Sequence, residues 1–274
     1  MEHALEVYPD KKWYILLDDD TYLIQSSLKV LLGHLDSRLP YYLGNAVGDF
    51  RARFAHGGST IILSHAAMTG LFIRNPKSVM TAHGESLTTI WGDRLIARAL
   101  IRTGVFLDER YSHFFSGESP RFSMIRADRV CSPILSFHSL ANPEDMLATG
   151  ERFKSVKKPL RWAQVLDYFG TPPKWRRGVA HSRHDWDYVG KPDPSVTAIQ
   201  RIATAEQCSK ECTKRSKSCM AWTWSPASKE CLVSPWMTVG EKVEGKVSGI
   251  SPVLPGRLEA KCNAAQHGHS HRTP

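Results

Sequence analysis

Over its first half the chain alternates short apolar runs with amphipathic stretches. Residues 13–17 (WYILL) form a continuous apolar run that ends in three aspartates, the pattern of a strand buried on both faces. Beyond it, Ile24, Leu28, Leu31, Leu32 and Leu35 recur at helical spacing, with Asp20 or Thr21 placed to cap that helix and Gly33 weakening its last turn. Residues 41–44 and 60–64 read as further short strands, and a helix is expected over residues 65–72. Another helix, from about residue 88 to 102, stops before Gly104, a natural position for glycine past a helix end. Residues 105–107 and 134–138 complete the strands. Asn142-Pro143-Glu144-Asp145 then opens a last helix with a cap, a proline at the first helical position and acids in the first turn. This alternation predicts an α/β unit over residues 1–155.

The pattern changes after that. Residues 156–190 are rich in Pro, Trp, Lys and Arg and read as a linker. Residues 191–252 carry four of the six cysteines, and residues 253–274 read as a disordered tail containing His267, His269 and His271. Cys208 and Cys212 stand one helical turn apart, and Cys219 and Cys231 flank Trp222 and Trp224, which alternate as in a strand. Such density suggests a disulfide framework and an oxidising compartment. Four zinc-bound thiolates are the competing reading, although the spacing is not that of a zinc finger or ribbon.

Composition narrows the options. With 42% hydrophobic residues in 274, the chain can bury a core in one or two domains. Its net charge of +9 suits anionic partners. The excess is scattered apart from residues 154–161 and 174–177, and no aromatic–basic interleaving marks a nucleic-acid surface. No segment reaches the roughly 18 apolar residues that span a bilayer. The first residues, MEHALE, lack the basic and apolar regions of a secretory signal. A disulfide module needs secretory entry, so the expectation is of a chain lacking its own N-terminal portion.

Asp18-Asp19-Asp20 can be a helix cap or a metal site. Ligands of open α/β sheets lie beyond the carboxyl ends of strands, and three like charges there call for a compensating cation. A divalent ion held by carboxylates and substrate phosphates would supply it. Gly57-Gly58, just before an apolar run, can be a tight turn or a close backbone approach to a ligand. Asp93, after Trp91-Gly92, can be a first-turn helix acid. His138, ending a strand, can be structural.

Taken in order, "WYILLDDDTYL", "YLG", "FAHGGSTIILS", "GDRLIARALIRTGV" and "ILSFHSL" followed by "PEDM" resemble glycosyltransferase family 31, the Fringe and core 1 β1,3-galactosyltransferase group, in its fungal form. The resemblance implies a partial GT-A (Rossmann-like) domain, because family members place several strands and helices before the acidic strand. It implies an inverting, Mn²⁺-dependent transfer of a hexose, galactose as the family-level choice, from a UDP-sugar to a hydroxyl of a glycan or glycoprotein acceptor. Asp18-Asp19-Asp20 takes the place of the DxD motif, with Asp20 a direct metal ligand, Asp18 on the metal and ribose side and Asp19 on the substrate side. His138 completes the metal site. Gly57 and Gly58 line the sugar and acceptor pocket, Asp93 acts as general base, and Trp91 can stack on an acceptor sugar. The family context implies the lumen of the Golgi or secretory pathway, with membrane attachment through an N-terminal anchor of a type II protein.

The second half, "CSKECTKRSKSCMAWTWSPASKECLV" closing at Val247-Ser248-Gly249, resembles a PAN/Apple module, a small disulfide-rich α+β domain. That resemblance implies pairing of Cys208 with Cys231 and of Cys212 with Cys219. Cys131 and Cys262 are left without assigned partners, that of Cys131 being expected before Met1. The alternative to an enzyme is a truncated or degenerate transferase that binds glycans or proteins without turnover.

Overall fold

A computed structural model of the chain describes residues 1–49, 52–170 and 181–268, with side chains described as far as residue 262 apart from those of residues 49 and 52. The basic cluster at 174–177, His269 and His271 lie outside the described residues, as does the side chain of His267. The chain divides into two compact units, residues 1–119 with 134–160, and residues 120–133 with 161–274.

In the first unit, α1 (Glu2–Val7) precedes β1 (Trp13–Leu16), β2 (Tyr22–Leu23) and α2 (Gln25–His34). Then come β3 (Tyr42–Gly44), β4 (Ala46–Asp49), β5 (Ala52–Ala55), β6 (Ile61–Ser64), α3 (His65–Phe72), α4 (Pro76–Ser86) and α5 (Gly92–Ile101). After β7 (Ile125–Arg126), which belongs to the second unit, β8 (Ser136–Phe137) and α6 (Pro143–Phe153) complete the first.

The main sheet has the order β1-β6-β3, each pair antiparallel, so β1 and β3 run the same way. Alternate residues of a strand face opposite sides. Tyr14, Leu16, Ile61 and Leu63 therefore join Met68, Leu71 and Leu100 on one face. Trp13, Ile15, Leu43 and Ile62 join Leu28, Leu31, Phe115 and Leu135 on the other. Helices cover both faces, which explains why β6 reads as unbroken apolar sequence. Replacing its buried Leu63 by alanine would cost about 2–5 kcal/mol by opening a cavity.

Several local expectations are corrected. Asp20 and Thr21 do not cap α2: Tyr22 and Leu23 pair with Phe137 and Ser136 instead, and the helix starts at Gln25 after an uncapped Ile24. The helix expected from residue 88 starts at Gly92, and α4 fills a stretch where none was expected. Residues 105–107 form no strand; Leu107 makes a single parallel bridge to Tyr42. Ser64 does cap α3, its Oγ accepting from the Ala67 N–H at 3.2 Å.

The second unit continues with α7 (Val165–Tyr168), β9 (His181–Asp187), β10 (Thr197–Ile199), α8 (Ala205–Lys214), β11 (Ala221–Ser225), β12 (Glu230–Ser234), β13 (Trp236–Met237), β14 (Glu241–Ile250) and α9 (Val253–Gly268). Five strands form an antiparallel sheet of order β10-β12-β11-β14-β9. Disulfides Cys208–Cys231 and Cys212–Cys219 staple α8 around a core containing Trp222 and Val233. None of the six cysteines is free, so no thiolate is left for zinc.

Segments read as linker and tail are ordered where described. Trp162 is fully buried beneath the Arg129 guanidinium, and residues 181–187 are a strand of the sheet. The tail is helical to Gly268, and its Cys262 is bonded to Cys131. The Cys131 partner thus lies 131 residues downstream and not before Met1. A buried tryptophan amid lysines and prolines misleads a reading by composition, because one large apolar side chain can anchor a whole segment.

Candidate metal and acceptor site

The site grows from the end of β1. After Leu16 the chain turns, the Thr21 N–H reaching the Asp18 carbonyl at 3.2 Å, and re-enters a ladder at β2 against β8. That pairing carries His138, the residue after β8, to the acidic turn. The Leu140 N–H closes it by donating to the Asp20 carbonyl at 3.1 Å. The outcome is a convergent triad: one ligand atom each from Asp18, Asp20 and His138 lies within 4.8 Å of the others. Among the described residues no other group of three His, Cys, Asp or Glu converges in this way.

His138 Nε2 stands 3.2 Å from Asp20 Oδ1. Its Nδ1 lies 3.1 Å from both the Gly117 carbonyl and the Ser139 hydroxyl; the carbonyl can only accept, and when Nδ1 donates to it the neutral ring presents its lone pair at Nε2. With Nε2 unprotonated, the two facing acceptors and the Asp18 carboxylate form a donor set open to a cation. One imidazole and two carboxylates are a ligand set that could hold a divalent cation.

The Gly57-Gly58 turn is built into the same place. The Thr21 hydroxyl donates to the Gly58 carbonyl at 2.6 Å, and the Ser136 hydroxyl to the Ser59 carbonyl at 2.6 Å. A Cβ at Gly58 would collide with the His138 imidazole, so here glycine is required by close approach. Thr60 follows at φ 90°, in the region that excludes β-branched residues by preference. Its hydroxyl is buried without a partner. Strain of this kind concentrates where a site is over-determined by its surroundings.

Asp93 sits in the first turn of α5. Its Oδ2 accepts from the Gly57 N–H at 3.1 Å and its Oδ1 from the Arg94 N–H at 2.7 Å. The carboxylate is thereby fixed beside the turn that touches His138. Asp19 is exposed and borders, with Asp20, a hollow lined by Leu140, Pro143 and Met146. Trp91 takes the N-cap position of α5, 54% exposed, with Leu87 and Ile90 also exposed before it. Neither Asp19 nor Trp91 is drawn to the triad by a hydrogen bond. Sequence reasoning missed Asn45, His56, Ser59 and Gly117. His56 and Ser59 flank the glycine pair, and that adjacency was the available signal.

Among the described residues no helix is long and apolar enough to cross a membrane. The PAN domain family model matches residues 187–249. No curated protein matches the chain. The family model described as Fringe-like matches residues 2–166, well over half of the chain. The chain belongs to the Fringe-like family of glycosyltransferases and carries a PAN domain in its second unit.

Proposed function

We propose that the protein is a Mn²⁺-dependent, inverting β1,3-type hexosyltransferase that moves galactose from UDP-galactose to a hydroxyl of a glycan or glycoprotein. The reading is carried by one observation, the convergence of Asp18, Asp20 and His138 beside a turn that also holds Asp93. When bound, the ion would supply Lewis-acid neutralisation of the departing nucleoside diphosphate.

The chain's own residues supply the rest. Asp93 takes the proton from the acceptor hydroxyl as that oxygen forms its bond to the anomeric carbon. The bond from that carbon to the diphosphate oxygen breaks, and the diphosphate leaves with the electron pair. A base held in this way is worth about 10²–10⁴ in rate. The Gly57 and Arg94 N–H groups fix the carboxylate, so that the acceptor meets an oriented base. Asp19 faces the donor substrate and Trp91 offers its exposed ring to an acceptor sugar. Three disulfides suit the oxidising lumen of the secretory pathway, with the Golgi the compartment of choice.

The test offers the purified chain a panel of UDP-galactose, UDP-N-acetylglucosamine and UDP-glucose with glycan acceptors, in Mn²⁺ and in chelator. Metal-dependent transfer of galactose, with inversion at the anomeric carbon, is expected. Binding of glycans with no transfer from any donor would favour a non-catalytic binding protein.

A further inference from the structure

We propose that His56 is a further donor-binding residue, its Nε2–H meeting an anionic oxygen of the nucleotide's diphosphate. The inference rests on reading the triad as a nucleotide-diphosphate site, and goes beyond it by assigning a residue outside the acidic motif.

Ser59 is fully buried. Its Oγ accepts from Asn45 Nδ2 at 3.2 Å, so the hydroxyl proton must go elsewhere. His56 Nδ1 lies 2.8 Å away, and among the described residues no other acceptor reaches that hydroxyl. Ser59 therefore donates to Nδ1, which places the proton of the neutral His56 ring on Nε2. His138 is set the opposite way, with Nδ1 donating to the Gly117 carbonyl and Nε2 offering a lone pair towards Asp20.

The two rings stand edge to face, with centroids 5.2 Å apart and an interplanar angle of 78°. One imidazole thus offers a lone pair to the acidic turn while its neighbour presents an N–H donor. His56 Nε2 has no acceptor among the described residues, and the ring is only partly buried. A donor without an acceptor, fixed in orientation beside a cation site, fits an anion that bridges both. A diphosphate has the chemistry for this, since it could meet a cation held by the triad and also accept from the His56 Nε2–H. The chain Asn45–Ser59–His56 acts as a relay that fixes the tautomer, so Asn45 and Ser59 are positioning residues.

The test titrates UDP, and separately uridine, into the full chain in Mn²⁺ by calorimetry. Mn²⁺ affinity without nucleotide and the unfolding midpoint serve as controls for the triad and the fold. His56→Phe is expected to weaken UDP about 10- to 100-fold, the worth of one hydrogen bond to a charged group, while leaving uridine and Mn²⁺ affinity unchanged. His56→Gln, which keeps an N–H donor, is expected to stay within a few-fold of wild type. Ser59→Ala, which frees the tautomer, is expected to fall between the two. Unchanged UDP affinity in His56→Phe, with Asp20→Ala losing it, overturns the inference and leaves the metal-site reading standing. Equal losses of UDP and Mn²⁺ affinity in both His56 variants assign the ring a structural role and overturn it as well. Wild-type protein that takes up no UDP overturns the underlying reading, and the inference with it.

Discussion

Gly58 leaves the room that His138 occupies: any side chain at residue 58 would displace the imidazole that faces Asp20. Gly58→Ala is therefore expected to act as a metal-site mutation although it removes no ligand. Moving Nε2 breaks the convergence with Asp18 and Asp20. Mn²⁺ affinity should fall at least about tenfold, in line with lost support of a metal ligand. A Mn²⁺ titration checks it, and unchanged affinity would show that His138 takes no part.

Asp93 is held by two backbone N–H groups, so its role can be separated from its place in the fold. Asp93→Asn keeps an acceptor for one of those donors, sets its NH2 group against the other, and removes the base. Turnover should drop by about 10²–10⁴ with UDP affinity unchanged. A parallel loss of UDP affinity would point to a binding role.

Tyr42 ties β3 to the strand leading into the glycine turn, its hydroxyl accepting from the Ala55 N–H at 2.8 Å. Tyr42→Phe leaves that buried N–H unpaired, at a cost of about 1–3 kcal/mol in urea unfolding at neutral pH. Burial pushes the Tyr42 phenol far above its ordinary value of 10.0. The stability this group contributes is fully present below pH 10 and is lost as pH rises beyond it, because the unfolded chain ionises first. The gap between wild type and Tyr42→Phe should therefore narrow above pH 10. Tyr14 and Tyr22 are raised as well, but they titrate alike in both proteins and drop out of the difference.

Thr60 holds a φ of 90° with a buried hydroxyl that has no partner. Thr60→Gly relieves both costs and gives up some packing and backbone entropy. The expected net effect is a gain of about 1 kcal/mol, measured by urea unfolding. A loss would mean that the threonine contributes more through its methyl contacts than its backbone costs.

Much of the first unit was legible in the sequence because its signals were local. The unbroken apolar run at β6 marks a central strand covered on both sides, and the glycine pair before it marks close approach. What stayed hidden depends on partners far along the chain. Nothing near Tyr22 announces that it pairs with Phe137, yet that two-residue ladder is what brings His138 to Asp20 and denies α2 its expected cap. The Cys131–Cys262 bond is hidden for the same reason, since its halves stand 131 residues apart. The role of His56 depends on a tautomer set by Ser59 and Asn45, and proton positions of that kind are invisible in a string of residues.

The most direct test measures UDP release from UDP-galactose in Mn²⁺ with an acceptor glycan, comparing wild type with Asp20→Ala. Metal-dependent release by the wild type is expected, with a loss of at least about a hundredfold on removing the Asp20 carboxylate that faces His138. Equal release by both proteins, or release that chelator does not reduce, would contradict it.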